Sequence, residues 1–203
     1  LKIEFNNLSK NNALSIEMLS SITKKLSMNK TINNFKCIVI SGVNESPFSS
    51  GADLDDIKKL IIKKNMNVYH EEMNKLLITL SKLKIPIISV IRTYCFGAGL
   101  ILALNSDIII ASETTIFCIP ASKLKIKIPK KQIMSIKNKI NQNFLYDIIL
   151  TSRKFNAMEA YSKNVINFCI KDKELKKFSE NYINQFINKD RDINTFYLDL
   201  LRN

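Results

Sequence analysis

Gly42, Gly51, Gly97 and Gly99 are the only glycines in 203 residues, where average usage would supply roughly fourteen. In a chain crowded with Lys, Asn and Ile, those that remain mark places where a side chain is hard to accommodate. Gly51 lies in Ser50-Gly51-Ala52-Asp53, and Gly97 and Gly99 lie in Phe96-Gly97-Ala98-Gly99. Each stretch precedes an expected helix. A small-residue turn at a helix start leaves backbone N–H groups facing outward, toward an anion or a polarised oxygen. Two such turns from distant parts of the chain could aim two donors at one oxygen, which stabilises negative charge developing there. Two unrelated tight turns would leave the same trace.

Other reactive side chains are sparse. His70 is the sole histidine, which argues against a histidine metal site and against a Ser-His-Asp triad unless His70 serves it. Between Tyr69 and Glu71-Glu72 it reads as a helix-surface residue. Cys37, Cys95, Cys118 and Cys169 are far apart, form no CxxC and sit in apolar runs, so they read as buried reduced thiols. The formal charge is +13. Between Thr114 and Tyr146 no acid occurs, yet Lys123, Lys125, Lys127, Lys130, Lys131, Lys137 and Lys139 all fall there. That patch suits a polyanion such as RNA, or a phosphorylated ligand. A solvated face enriched by Lys-favouring codon bias is the alternative.

The elements that must position these groups alternate. Strands are expected at Leu1–Phe5, Phe35–Ser41, Ile85–Ile91, Ile108–Ile110, Thr115–Cys118 and Val165–Ile170. Helices are expected from Ser15 to Met28, from an Asp53 cap to Ile61, and over Val68–Lys82 and Leu100–Leu104. Further helices are expected over Lys130–Lys139, Gln142–Thr151, Asn156–Ser162 and Asp172–Arg202. The run FKCIVIS is apolar throughout, as for a strand covered on both faces. Hydrophobic residues make up 46% of the chain, and no apolar stretch reaches membrane-spanning length without a charge or turn. Alternating strands and helices with no domain-length linker predict one α/β domain.

Several stretches together resemble the enoyl-CoA hydratase/isomerase (crotonase) superfamily. Phe48-Ser49-Ser50-Gly51-Ala52-Asp53-Leu54 is similar to its FxAGADI motif, and Tyr94-Cys95-Phe96-Gly97-Ala98-Gly99 to its YAFGGG turn. Asn12-Ala13-Leu14, Pro86, Leu102-Ala103, Asp107-Ile108, Phe117-x-x-Pro120 and Leu150–Ala157 match further family positions in family order. The resemblance implies a spiral of ββα units over residues 1–170, with two sheets, followed by a shortened helical segment, 171–203, where the family builds its lid and trimer. It implies an acyl-CoA ligand, with coenzyme A part of the substrate and no separate cofactor. By position, the N–H groups of Ala52 and Ala98 would hold the thioester oxygen. Asn11, Ala13, Ser50, Gly51, Asp53, Leu54, Phe96, Gly97 and Pro120 would line the ligand. A homo-trimer or hexamer, in the mitochondrial matrix or cytosol, would follow.

The chain departs from the family where proton transfer is done. The two hydratase glutamates fall at Ile101 and Ala121, and no apolar side chain does general acid–base work. Lys130 stands where the hydrolase branch has an acid after Pro129. Asp55 replaces a lysine that commonly meets a CoA phosphate. Asp107 and Glu113 are the nearest acids in sequence, one at a structural family position and one at a surface turn. Tyr94, Ser106 and Ser122 are donors but weak bases. The expectation is an acyl-CoA-binding member with hydratase activity weak or lost. The alternatives are an RNA- or polyanion-binding protein, or a scaffold subunit, on the same fold.

Overall fold

The computed structural model describes residues 1–28, 32–62, 64–187 and 189–202; Asn203, the end of the expected helical segment, lies outside the described residues. The first half contains β1 (Lys2–Phe5), α1 (Ile16–Met28), β2 (Ile38–Gly42), α2 (Leu54–Ile62), α3 (Asn67–Ser81), β3 (Ile87–Ile91), β4 (Tyr94–Phe96) and α4 (Ala98–Leu104). The second contains β5 (Ile108–Ser112), β6 (Ile116–Cys118), α5 (Lys130–Lys137), α6 (Gln142–Thr151), β7 (Phe155–Asn156), α7 (Ala157–Ser162), β8 (Phe168–Ile170), α8 (Leu175–Ile187) and α9 (Arg191–Arg202).

Five strands form one parallel sheet in the order β1-β2-β3-β5-β8. The central strands β2, β3 and β5 are covered on both faces, which explains their largely apolar composition, whereas Lys2 and Glu4 of the edge strand β1 stay exposed. Ile38, Ile40, Ile87, Ile91, Ile109 and Ala111 belong to the main core, packed with residues of α1, α3 and α4. Val39, Ile88 and Ile110 alternate to the opposite face and meet Leu175, Phe178, Tyr182 and Ile183 of α8. Phe168 of β8 contacts Phe178 and Tyr182 with ring centroids 5.2 and 5.0 Å away.

The second sheet, β4-β6-β7, has three strands. Tyr94–Phe96, read in sequence as the approach to the glycine turn, is a strand paired in parallel with Ile116–Cys118. Strands β1, β2, β3, β6 and β8 are shorter than expected, β2 and β8 by the most at their starts. Phe35 lies outside β2 and is 37% exposed. Before β8, Asn167 exchanges bonds with Ile109 through both its own N–H (2.9 Å) and its side-chain oxygen (2.7 Å), so a side chain stands in for one rung of the ladder.

The caps read from sequence are present. Ser15 Oγ accepts from Met18 N–H at 3.1 Å at the start of α1. Asp53 Oδ1 accepts from Asp55 N–H at 2.9 Å at the start of α2. Each cap satisfies a donor that the first helical turn leaves open. Cys37, Cys95 and Cys118 are buried and reduced, whereas Cys169 is only half-buried. Among the described residues no helix is long and apolar enough to cross a membrane.

Candidate active site

Three segments converge to build the site. The loop Phe48–Asp53 is stitched on one side to β4: Ser49 N–H donates to Tyr94 O (3.0 Å) and Phe96 N–H to Ser49 O (2.9 Å). On its other side it meets Leu14, whose N–H donates to Gly51 O at 2.7 Å and whose carbonyl accepts from Asp53 N–H at 3.0 Å. Leu14 therefore bonds both neighbours of Ala52 in a parallel bridge, and the N–H of Ala52 itself faces away from Leu14. Asn12 braces this corner. It is fully buried, donates to Pro47 O (2.6 Å) and Ser46 Oγ (2.9 Å), and accepts from Asn7 N–H (2.8 Å).

The second turn sits against the first. Gly97 has φ +47° and ψ −117°, a conformation that a side chain disfavours, and Ile101 N–H donates to its carbonyl to open α4. Gly51 has φ +103°, and a Cβ there would lie 3.1 Å from Phe96 O and 3.8 Å from Ala98 N. Ala98 is the first residue of α4, so its N–H has no intrahelical acceptor. Among the described residues neither the N–H of Ala52 nor that of Ala98 donates to a protein acceptor. Ala98 keeps φ negative, so alanine at a position where the family has glycine carries no strain.

A cavity of about 430 Å³ opens beside these two turns. Every site residue expected from sequence lines it except Phe96: Asn11, Ala13, Ser50, Gly51, Ala52, Asp53, Leu54, Gly97, Ala98, Ile101, Pro120 and Ala121. The backbone of Phe96 positions Gly51, but its ring points elsewhere, 5.4 Å from Tyr94 and beneath Lys154. Ile101 is 2% exposed, so the wall where a carboxylate would stand is apolar. Ile119, Leu124, Ile126 and Ile128 extend that wall.

Asp53 lines the cavity, but its carboxylate is occupied. Lys10 Nζ lies 3.0 and 2.9 Å from its two oxygens, and the capping bond uses one of them as well. Lys10 also reaches Asp55 at 2.7 Å. The hydrogen bonds to Asp55 and Asp53 raise the pKa of Lys10, and the same Lys10 contact lowers that of Asp55. The other acids and donors weighed from sequence lie outside the cavity. Asp107 accepts from Ile87 N–H and pairs with Arg202, Ser106 pairs with Ser89, and Tyr94, Glu113 and Ser122 are exposed.

Among the lining residues that the sequence does not single out for the site are His70 and Gln132. His70 is a half-buried cavity residue rather than a surface one, and Nδ1 is buried without a partner. Desolvation holds its pKa below the ordinary 6.5, so the ring is neutral at pH 7. The flanking Glu71-Glu72 obscured it, because a helix turns adjacent residues to different faces. Gln132 of α5, which follows Lys130-Lys131 in sequence, is 4% exposed with Nε2 unpartnered. From Lys123 to Ile128 the chain alternates: Leu124, Ile126 and Ile128 line the cavity, Leu124 at its exposed edge, while Lys123, Lys125 and Lys127 are exposed.

This arrangement of a parallel sheet, a three-stranded second sheet and two facing glycine turns is a crotonase-type fold. The chain belongs to the enoyl-CoA hydratase/isomerase family, whose profile it matches over residues 1–202. It is 26% identical over 159 residues to "Probable enoyl-CoA hydratase 2, mitochondrial" of Arabidopsis thaliana, covering 78% of this chain and 52% of that protein. It is 27% identical over 103 residues to a carnitinyl-CoA dehydratase of Salmonella typhimurium, covering 51% of this chain and 40% of that one. The chain thus spans about half the length, or less, of these curated relatives. A crotonase-type structure from Legionella pneumophila superposes with a TM-score of 0.90 at 26% identity, over 99% of this chain and 78% of that one. A Thermobifida fusca protein solved in complex with acetoacetyl-CoA superposes at 0.88 and 21% identity, over 98% and 81%.

Proposed function

We propose that this protein binds acyl-CoA thioesters, with the thioester oxygen held between the N–H groups of Ala52 and Ala98, and that it has lost efficient hydratase activity. The observation carrying this reading is the packing of the Gly51 and Gly97 turns beside a cavity, with two N–H groups lacking protein acceptors. The Thermobifida fusca neighbour, which holds acetoacetyl-CoA, supports the ligand class. Two aligned amides stabilise an enolate oxygen without any side-chain acid. Hydration needs more: a base to activate water and an acid to protonate the α-carbon, together contributing roughly 10²–10⁴-fold or more. Ile101 and Ala121 supply neither. Coenzyme A is part of the ligand, and no separate cofactor is required. The mitochondrial matrix or the cytosol, where such esters turn over, suits this role.

Calorimetric titration tests the binding half. Butyryl-CoA should bind, and its thioether analogue, which lacks the carbonyl, should bind about 5- to 150-fold more weakly, since two N–H···O bonds contribute about 1–3 kcal/mol together. Equal affinities would overturn the role of the two amides, and failure of both to bind would overturn the acyl-CoA reading. Hydration of crotonyl-CoA, followed by absorbance, should stay near background; turnover at ordinary enzymatic rates would overturn the loss of activity.

A second reading, an RNA- or polyanion-binding protein on this fold, draws on Lys123, Lys125, Lys127, Lys130, Lys131, Lys137 and Lys139. All are exposed, and among the described residues none forms an ion pair within 4 Å. Phosphate-driven affinity should fall steeply with salt; salt-independent RNA binding would exclude this reading. Assembly into a trimer or hexamer is consistent with the exposed Ile193, Phe196, Tyr197 and Leu200 of α9, and the mass in solution tests it.

A further inference from the structure

The amide of Ala52 is aimed by a relay that ends at a buried phenol. The Gly51–Ala52 peptide is planar, so the direction of the Gly51 carbonyl fixes that of the Ala52 N–H on its opposite side. That carbonyl accepts from Leu14 N–H at 2.7 Å. Glycine on one side of the peptide offers little resistance to its turning, so the bond from Leu14 has to hold it. Leu14 is held in turn through its own carbonyl. The hydroxyl of Tyr69, on α3, donates to Leu14 O at 3.2 Å, beside the bond from Asp53 N–H at 3.0 Å. Tyr69 is 3% exposed, and Met73, Leu76 and Leu80 on the same face of α3 are apolar core residues. Asp53 already satisfies the Leu14 carbonyl, and phenylalanine would fill the same space without burying a hydroxyl.

We infer that Tyr69 is a positioning residue: by tying the Leu14 carbonyl to α3, its hydroxyl fixes the direction in which the Ala52 N–H meets a thioester oxygen. This deepens the acyl-CoA reading and rests on it. The ring of Tyr69 lines the cavity, but the hydroxyl is directed at Leu14 O and so acts on the ligand through the backbone. Burial, with Asp56 and Asp53 nearby, pushes the phenol pKa far above its ordinary value, so the hydroxyl stays a donor at neutral pH. The Ala98 N–H is set instead by the start of α4. Loss of the Tyr69 hydroxyl should therefore misaim one of the two amides and leave the other.

The test compares butyryl-CoA with its thioether analogue by calorimetry, in the native whole chain and in Tyr69→Phe. The variant should bind butyryl-CoA about five-fold or more weakly, because a misaimed amide loses much of its hydrogen bond, while its affinity for the thioether stays within about two-fold. A substitution that merely loosened the cavity would weaken both ligands alike. The carbonyl stretch of bound, isotope-labelled butyryl-CoA, lowered in the native complex by the two amides, should move back toward its free value in Tyr69→Phe. Para-aminophenylalanine in place of Tyr69 keeps a donor there and should restore both readouts. Melting curves confirm that each variant folds, and hydrogen exchange at Leu14 N–H, faster in Tyr69→Phe, reads the relay without ligand. Undiminished discrimination in Tyr69→Phe, equal weakening of both ligands, unchanged exchange at Leu14, or no recovery with para-aminophenylalanine would overturn this inference alone. A native chain that binds both ligands equally would overturn the role of the two amides, and this inference with it.

Discussion

Gly99→Ala is the substitution whose cost can be worked out most directly. In an open helix the change would stabilise by about 1 kcal/mol, because alanine outranks glycine in helix propensity. Here the sign should reverse. A Cβ at position 99 would lie 2.6 Å from Ser49 Cβ and 2.9 Å from Ser49 Oγ, and Ser49 is fully buried. Neither atom is the end of a flexible chain, so α4 must lift from the Phe48–Asp53 loop or the loop must yield. Overpacking of this kind costs about 1–3 kcal/mol. It should also separate Ala98 N from Ala52 N and weaken butyryl-CoA binding. The partner change, Ser49→Gly, removes both clashing atoms but loses the 3.1 Å bond from Gly51 N–H to Ser49 Oγ; it should cost about 1–2 kcal/mol by itself. The carbonyl of Ser49 remains 3.4 Å from the added methyl, an ordinary contact. The double variant should therefore be more stable than the sum of the two losses by about 1–3 kcal/mol. Urea denaturation of the four proteins measures that coupling, and titration with butyryl-CoA shows whether binding recovers with it. Additive losses within about 0.5 kcal/mol would refute the claim that approach of α4 to Ser49 is what requires glycine at 99.

Gly97→Ala has room for its methyl, whose nearest neighbour is Pro120 Cδ at 3.8 Å, so its cost is backbone strain alone, about 1–3 kcal/mol by urea denaturation; unlike Gly99→Ala, no partner substitution at Ser49 should rescue it. His70 has its pKa lowered below 6.5 by desolvation, so below pH 6.5 the unfolded chain takes up a proton that the folded chain refuses, and stability from this residue falls as pH drops toward the folded value. Melting temperatures from pH 7.5 to 5 should fall less steeply in His70→Gln than in the native chain, and parallel curves would exclude His70 as a contributor. Arg202 joins α9 to the sheet through Asp107, at 2.5 and 2.8 Å, and through the carbonyls of Leu83 and Ile85. Its side chain is 19% exposed, so Arg202→Ala should cost about 1–3 kcal/mol, less than for a fully buried pair. Hydrogen exchange should show α9 opening first, and unchanged exchange there would contradict the contact's role.

Local chemistry was enough for the elements and for most of the site's membership. Periodicity marked α1 and α3, the β-branched runs marked β2, β3 and β5, and Ser15 and Asp53 marked helix starts, because each of these signals arises between residues close in sequence. The shortage of glycine singled out Gly51, Gly97 and Gly99, because a clash or a positive φ excludes side chains whatever the rest of the composition does. The family resemblance added the roles expected of Ala52, Ala98, Ile101 and Ala121.

What tertiary structure alone decided is where side chains face and which long-range partners they take. Phe96 lies within the glycine motif, yet its ring leaves the cavity because β4 pairs with β6. Asp53 looks available in sequence, but Lys10, 43 residues earlier, occupies its carboxylate. His70 and Gln132 look like surface residues beside charged neighbours, and only the packing of α3 and α5 around one cavity turns them inward. Strand and helix signals are written within about ten residues, whereas burial and hydrogen-bond satisfaction are set by neighbours that are distant in the chain.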